Sequence, residues 1–199
     1  KEYRRQRQMC IRDSIITLNN INIKLFKFMP NIVEKMTLNY SPNFDLKKRK
    51  KSKIKYLIFH YTGMKSDKSA IERLTDINSK VSCHYYIDQK GQIIQMVPDL
   101  YVAWHAGKSF WKKDKNLNKS SIGIEISNPG HDNKYKKFTK KQIESLIILS
   151  KNLIKNYSIK NNNILGHSDI APLRKKDPGE YFPWHCLLYT SPSPRDKRQ

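Results

Sequence analysis

Cysteine is nearly absent from this 199-residue chain. The three present, Cys10, Cys83 and Cys186, form no CxxC pair, which excludes a disulfide framework and a thiolate zinc site. No apolar run approaches the roughly 20 residues of a membrane-spanning helix, so no integral membrane segment is expected. A secretory leader, with its apolar core and small-residue cleavage site, is also missing from the first residues. The expectation is a cytoplasmic protein, or a periplasmic one if the true N-terminus lies elsewhere. Acidic residues are few: 17 against 39 lysines and arginines, a formal charge of +22. Such a charge invites a nucleic-acid reading.

The distribution of arginine argues against that reading. Four of the nine arginines lie within residues 1–12, and Arg195 and Arg198 lie in the last five, leaving three in the 182 residues between. Elsewhere lysine accompanies asparagine and isoleucine, the pattern of a compositional bias rather than of a phosphate-binding surface. No nucleic acid is expected as a partner. The run KKRKKSKIK at 47–55 reads as a solvated lead-in to the first strand. The arginine-rich ends, with segments such as QRQMCIRDS and LYTSPSPRDKRQ, look foreign to the body of the chain. Residues 1–35 are expected to be extraneous or disordered, 36–186 to form one domain, and 187–199 to be an extraneous tail, with Met36 a candidate start.

The body reads as an α/β domain, a mixed central sheet flanked by helices. IKYLIFHY (54–61) is a continuous apolar run of the kind a buried central strand shows. SDKSAIERLTD (66–76) places Ile71 and Leu74 at helical spacing, with Ser66 or Asp67 as cap. HYYIDQ and QIIQMVPD, around Lys90-Gly91, predict a hairpin. In SIGIEIS (121–127) three isoleucines alternate with Gly123 and Glu125, putting residue 125 on the opposite face of a strand. Residues 139–157 are the clearest helix: Thr139 and Gln142 make a capping box, and Ile143, Leu146, Ile147, Ser150, Leu153, Ile154 and Tyr157 trace one face. NNNILGH (161–167) predicts a short strand delivering His167, followed by a long irregular tail.

Two histidines therefore stand at ends of predicted strands, His60 after LIF and His167 after ILG, where an α/β sheet presents functional groups. Each taken singly could equally be a structural histidine, and Asp177, in a rigid Asp-Pro-Gly turn, an Asx-turn. No HExxH pattern is present. The stretch GHSDIAPLRKKDPG (166–179) gathers a histidine, two aspartates and three consecutive cations where prolines forbid a regular helix.

Five blocks settle on one resemblance. FHYTG (59–63), SCHYYIDQKGQIIQMVPD (82–99), AWHAGKSFW (103–111), LNKSSIGIEISNPG (117–130) and GHSDIAPLRKKDPGEYFPW (166–184), in this order, resemble the zinc-dependent N-acetylmuramoyl-L-alanine amidases of the type-2 family, whose fold is shared with peptidoglycan recognition proteins. The resemblance implies an enzyme of cell-wall turnover or recycling, expected as a monomer, acting on peptidoglycan or muropeptides. A non-catalytic recognition module of the same fold is the alternative. It implies His60, His167 and Asp177 as ligands of Zn2+, two imidazoles and a carboxylate leaving a fourth position for water, as catalytic zinc sites do. Glu125 then matches the residue that takes the water's proton, and Lys175 the one that stabilises the oxyanion. Trp104 and His105 are expected to line the substrate groove, with core packing the alternative for Trp104. Asn128 is expected to bind stem-peptide backbone or cap a turn, and Arg174 to face solvent or meet a substrate carboxylate. His84 is expected to be structural, His131 and His185 to be surface groups, and Asp169 to brace the loop. Leu173 departs from the small residue many relatives have, and after Trp184 the family pattern is lost.

Overall fold

The structure, a computed structural model, describes residues 36–188, so the expectations for 1–35 and 189–199 lie outside it. In chain order the elements are β1 (Met36–Leu38), β2 (Phe44–Asp45), β3 (Tyr56–Tyr61), α1 (Asp67–Thr75), β4 (Tyr85–Ile87), β5 (Ile93–Gln95), β6 (Val102–Ala103), β7 (Phe110–Trp111), β8 (Asp114–Lys115), β9 (Ser121–Ile126), α2 (Lys140–Tyr157), β10 (Ile164–Gly166), α3 (His167–Ile170) and α4 (Trp184–Leu188). Six strands form one sheet in the order β1-β5-β4-β9-β3-β10. All of its pairings are parallel except the β4–β5 hairpin. Two short antiparallel pairs, β2–β6 and β7–β8, lie outside it.

Buried on both faces, β3 is central, which is why its sequence shows a continuous apolar run rather than an alternation. Leu57 and Phe59 of β3 and Ile122, Ile124 and Ile126 of β9 pack with Leu146, Leu149 and Leu153 of α2. Each such leucine contributes roughly 1.5–3 kcal/mol by leaving water. The alternate residues face the other way, where Ile58 joins Leu165 and Ile170, and Tyr86 joins Ala70 and Leu74 of α1.

The helix starts follow their caps. The Ser69 amide donates to Ser66 Oγ at the head of α1. At α2, the Gln142 amide donates to Thr139 Oγ1 and the Thr139 amide to Gln142 Oε1, closing the capping box. The buried stripe of α2 is Gln142, Ser145, Leu146, Leu149, Ser150 and Leu153, so the expected face is rotated: Ile143, Ile147 and Ile154 sit at its margin, only partly buried. In the β4–β5 turn Asp88 Oδ1 accepts from the Lys90 and Gln92 amides and Gly91 takes the left-handed conformation. The segment after His167 is less irregular than expected. It contains α3 and α4, and Leu187 is buried in the main core, just past the expected boundary at 186.

Candidate metal centre

Three neighbouring strands bring the site together. His60 lies near the C-terminal end of β3 and is paired in register with Glu125 of β9. On the other side of β3, β10 ends at Gly166, and His167 opens α3. Asp177 returns on the following loop, where its carbonyl accepts the Ser168 amide at 2.8 Å. That closure needs glycine at 166, because a Cβ there would come within 2.6 Å of Pro178 Cδ. Asp169 helps hold the turn, its Oδ2 accepting the Gly166 amide at 2.6 Å, the bracing role expected of it.

His60 Nδ1 and His167 Nδ1 are 2.9 Å apart, and Asp177 Oδ2 lies 3.1 Å from the first and 3.0 Å from the second. All three residues are buried, and they form the one group among the described residues whose ligand atoms converge in the way a metal ion requires. The His167 tautomer is set by Ala106, whose carbonyl can only accept: Nε2 donates to it at 3.1 Å, leaving the Nδ1 lone pair facing the other two atoms. Burial would raise the Asp177 carboxyl, but the two imidazoles beside it hold it below the usual carboxylate range. Burial and then His167 push His60 down to about 4, so its ring is neutral near pH 7 and one of its nitrogens carries a free lone pair. A tetrahedron with bonds of about 2.0–2.1 Å has edges of about 3.3 Å. Two imidazole nitrogens and one carboxylate oxygen at this spacing fit a zinc ion with a ligand position left over.

A cleft of about 420 Å3 opens onto this centre, lined by His167 and Asp177 together with Glu125, Lys175 and Trp104. Glu125 Oε2 is shut from solvent and makes no hydrogen bond to any described residue. Burial, then the nearby Asp177, drive its carboxyl well above the ordinary glutamate range, with Lys175 opposing them. A carboxyl perturbed in this way inside a cleft is a candidate proton-transfer group.

The four residues expected to meet substrate divide. Trp104 lines the cleft, its indole Nε1 donating to Asp45 Oδ1 at 2.8 Å. His105 lines the cleft as well, although only 8% exposed, and its Nδ1 lies 3.0 Å from His60 Nε2. Asn128 and Arg174 do not line the cleft, because the chain itself engages them. Asn128 is buried, with Nδ2 donating to the Lys136 carbonyl and Oδ1 accepting the Gly130 amide, the geometry of a turn cap. Arg174 donates through Nη2 to the Ala106 and Lys108 carbonyls, fixing the loop that holds His167 Nε2.

His84 is structural, as expected: Nδ1 accepts the Gly123 amide. His131 is partly exposed, as expected of a surface group, and is engaged there: Nδ1 meets Tyr61 Oη at 2.8 Å, Nε2 lies 3.0 Å from Glu180 Oε2, and the ring stacks on Tyr135. His185 is exposed, and so is Leu173, whose side chain enters no core cluster among the described residues. Arg49 was hidden in the basic run at 47–55. It donates to the Asp99 and Asn118 carbonyls and contacts His84 Nε2 at 2.9 Å. No local signal distinguishes it from its lysine neighbours.

A family model described as N-acetylmuramoyl-L-alanine amidase matches residues 50–180. The chain is 42% identical over 147 residues to the N-acetylmuramoyl-L-alanine amidase AmiD of Escherichia coli (strain K12), a match covering 68% of this chain and 52% of AmiD. It is 32% identical over 166 residues to the 1,6-anhydro-N-acetylmuramyl-L-alanine amidase AmpD of Haemophilus influenzae, covering 74% of this chain and 88% of that one. Among solved structures, E. coli AmiD in complex with the substrate anhydro-N-acetylmuramic acid-L-Ala-D-gamma-Glu-L-Lys is similar with a TM-score of 0.64 at 41% identity, covering 69% of this chain and 57% of that one. This chain thus spans about half the length of AmiD.

Proposed function

This chain belongs to the N-acetylmuramoyl-L-alanine amidase family, and from that premise we propose that it hydrolyses the amide between N-acetylmuramic acid, or its anhydro form, and L-alanine of the stem peptide, in peptidoglycan turnover or recycling. The observation that carries the reading is the convergence of His60, His167 and Asp177 beside a cleft whose wall holds Glu125 and Lys175. The substrate in the AmiD complex contains that same amide.

Those three residues would hold Zn2+ through His60 Nδ1, His167 Nδ1 and the Asp177 carboxylate. When bound, zinc supplies Lewis acidity, drawing the pKa of a water toward ~7 and polarising an amide carbonyl. Glu125 Oε2 accepts the proton released by the attacking water. It then delivers that proton to the amide nitrogen as the C–N bond breaks, giving a muramyl carboxylate and a free alanine amine. Burial and the nearby Asp177 raise its pKa, which favours the protonated form it takes between the two transfers. The Lys175 ammonium, in the same wall, donates to the carbonyl oxygen as negative charge grows there. Trp104 supplies an apolar wall held in place by Asp45.

The test is incubation of zinc-loaded protein with intact sacculi and, separately, with anhydro-muropeptides, followed by mass spectrometry of the products. Release of peptides beginning with L-alanine, abolished by chelation and by Glu125→Ala, is the expected result. Binding of muropeptide without product from either substrate would replace hydrolysis with recognition.

A further inference from the structure

His60 is a useful ligand only if its Nδ1 carries no proton, and the atoms behind it decide that. Its Nε2 lies 3.0 Å from His105 Nδ1, and His105 Nε2 lies 3.1 Å from Ser121 Oγ. Ser121 Oγ in turn donates to the Leu117 carbonyl at 2.6 Å. A hydroxyl has one hydrogen, and here it is committed to an oxygen that can only accept. Ser121 Oγ must therefore accept from His105, which places the His105 hydrogen on Nε2 and leaves Nδ1 an acceptor. His60 then donates from Nε2, and its own Nδ1 lone pair faces His167 and Asp177. The reverse polarity would set the His105 Nε2 lone pair against a Ser121 oxygen with no hydrogen to offer.

The chain of groups is rigidly seated. Asn118 Oδ1 accepts the amides of His105 and Ala106 at 3.1 and 2.7 Å, fixing the backbone from which the ring hangs. The ring lies across β9 at Gly123, where an added Cβ would fall 2.4 Å from His105 Cγ. Ser121, Gly123 and Glu125 share one face of the same strand, so β9 positions both the relay and the carboxylate.

We propose that Ser121 and His105 are positioning residues that hold His60 in its Nε2–H tautomer, presenting an open Nδ1 before any metal arrives. The proposal rests on reading His60, His167 and Asp177 as a metal site. Residues that orient ligands from behind typically change metal affinity 10- to 100-fold when lost.

Two measurements test it on the full chain. In chelated, 15N-histidine-labelled protein, two-bond 15N–1H correlation spectra should show His60 with a protonated Nε2 and a bare Nδ1. Ser121→Ala should shift that pattern toward the other tautomer. In competition with a chelating dye, His105→Phe should lower zinc affinity about 10- to 100-fold. His105→Asn, whose amide oxygen can still accept from His60, should restore most of the loss. Ser121→Ala should cost several-fold alone and nothing further in the His105→Phe background. A His60 protonated on Nδ1 in the parent protein, or a folded His105→Phe binding zinc within twofold of the parent, overturns the relay. If circular dichroism shows His105→Phe unfolded, the spectra and Ser121→Ala decide. A parent protein that binds no zinc sinks the metal-site reading instead, while its spectra still judge the relay.

Discussion

The two faces of the central sheet are made by the same strands and behave as opposites. On the α2 face, Leu57, Phe59, Ile122, Ile124 and Ile126 meet a leucine stripe, and burial alone explains the packing. On the other face the alternate positions carry Ile58, His60, Gly123 and Glu125, mixing apolar groups with two ionisable ones and a glycine. There each buried polar group needs a specific partner, and Glu125 Oε2 has none in the described protein. A face that departs from the local rule at several adjacent positions has been shaped by something other than stability. Stability should therefore reside on one face and chemistry on the other.

Glu125→Gln offers the widest split. It keeps size and polarity but cannot shuttle a proton, so turnover of a muropeptide substrate should fall about 10²- to 10⁴-fold. Thermal stability should hold or rise, because a carboxyl that burial and Asp177 disfavour in its charged form is gone. Activity within tenfold of the parent would refute the division. On the other face, Leu149→Ala should cost about 2–5 kcal/mol in urea unfolding through a cavity against the sheet. Its activity per folded molecule should stay at the parent level. Loss of activity beyond the folded fraction would show that the faces are coupled.

The same contrast explains what could be read from the sequence. The α2 face was legible because period-two strands and a capped helix leave a pattern in consecutive residues, although the leucine at 149 escaped the expected stripe. The metal triad was legible only through the resemblance, since spacing alone left each histidine a possible structural one. Asn128 and Arg174 were offered to substrate with a turn cap and a solvent-facing place as their alternatives. The partners of these two, the Lys136 carbonyl and the Ala106 and Lys108 carbonyls, are set by tertiary closure that no local pattern encodes, as is the contact of His105 with His60. Arg49 was lost for the same reason, its acceptors lying 50 and 69 residues away.

Acid should attack the site face selectively in the metal-free protein. Burial and then His167 push His60 from 6.5 down to about 4, so between those values the unfolded chain binds the extra proton. Stability from His60 is therefore complete above about pH 6.5 and is lost as pH falls toward 4. Between pH 7 and 5 the loss from this residue alone is about 2 kcal/mol. His84 and His105, also lowered by burial, add losses of the same sign. Glu125 works in reverse: its folded pKa is raised, so its contribution is present below the ordinary glutamate value and fades as pH rises. Urea titrations of chelated protein should show the acid loss, and in Glu125→Gln the curve should steepen because the opposing slope has been removed. A flat profile from pH 7 to 5 would mean these histidines are not neutral in the fold.

The mildest change probes the seam between the faces. Thr139 caps α2 and also donates from Oγ1 to the Gln89 carbonyl at 3.1 Å, while its partner Gln142 reaches from the helix to the Ser127 carbonyl just past β9. Thr139→Ala removes the hydroxyl that receives the Gln142 amide and should cost about 1 kcal/mol of unfolding free energy, with Thr139→Ser recovering most of it. Because Gln142 still holds Ser127, β9 should keep its register and Glu125 its place, leaving turnover unchanged. A fall in turnover larger than the fall in folded fraction would mean that the helix cap tunes the carboxylate through β9, and the two faces would have to be treated as one cooperative unit.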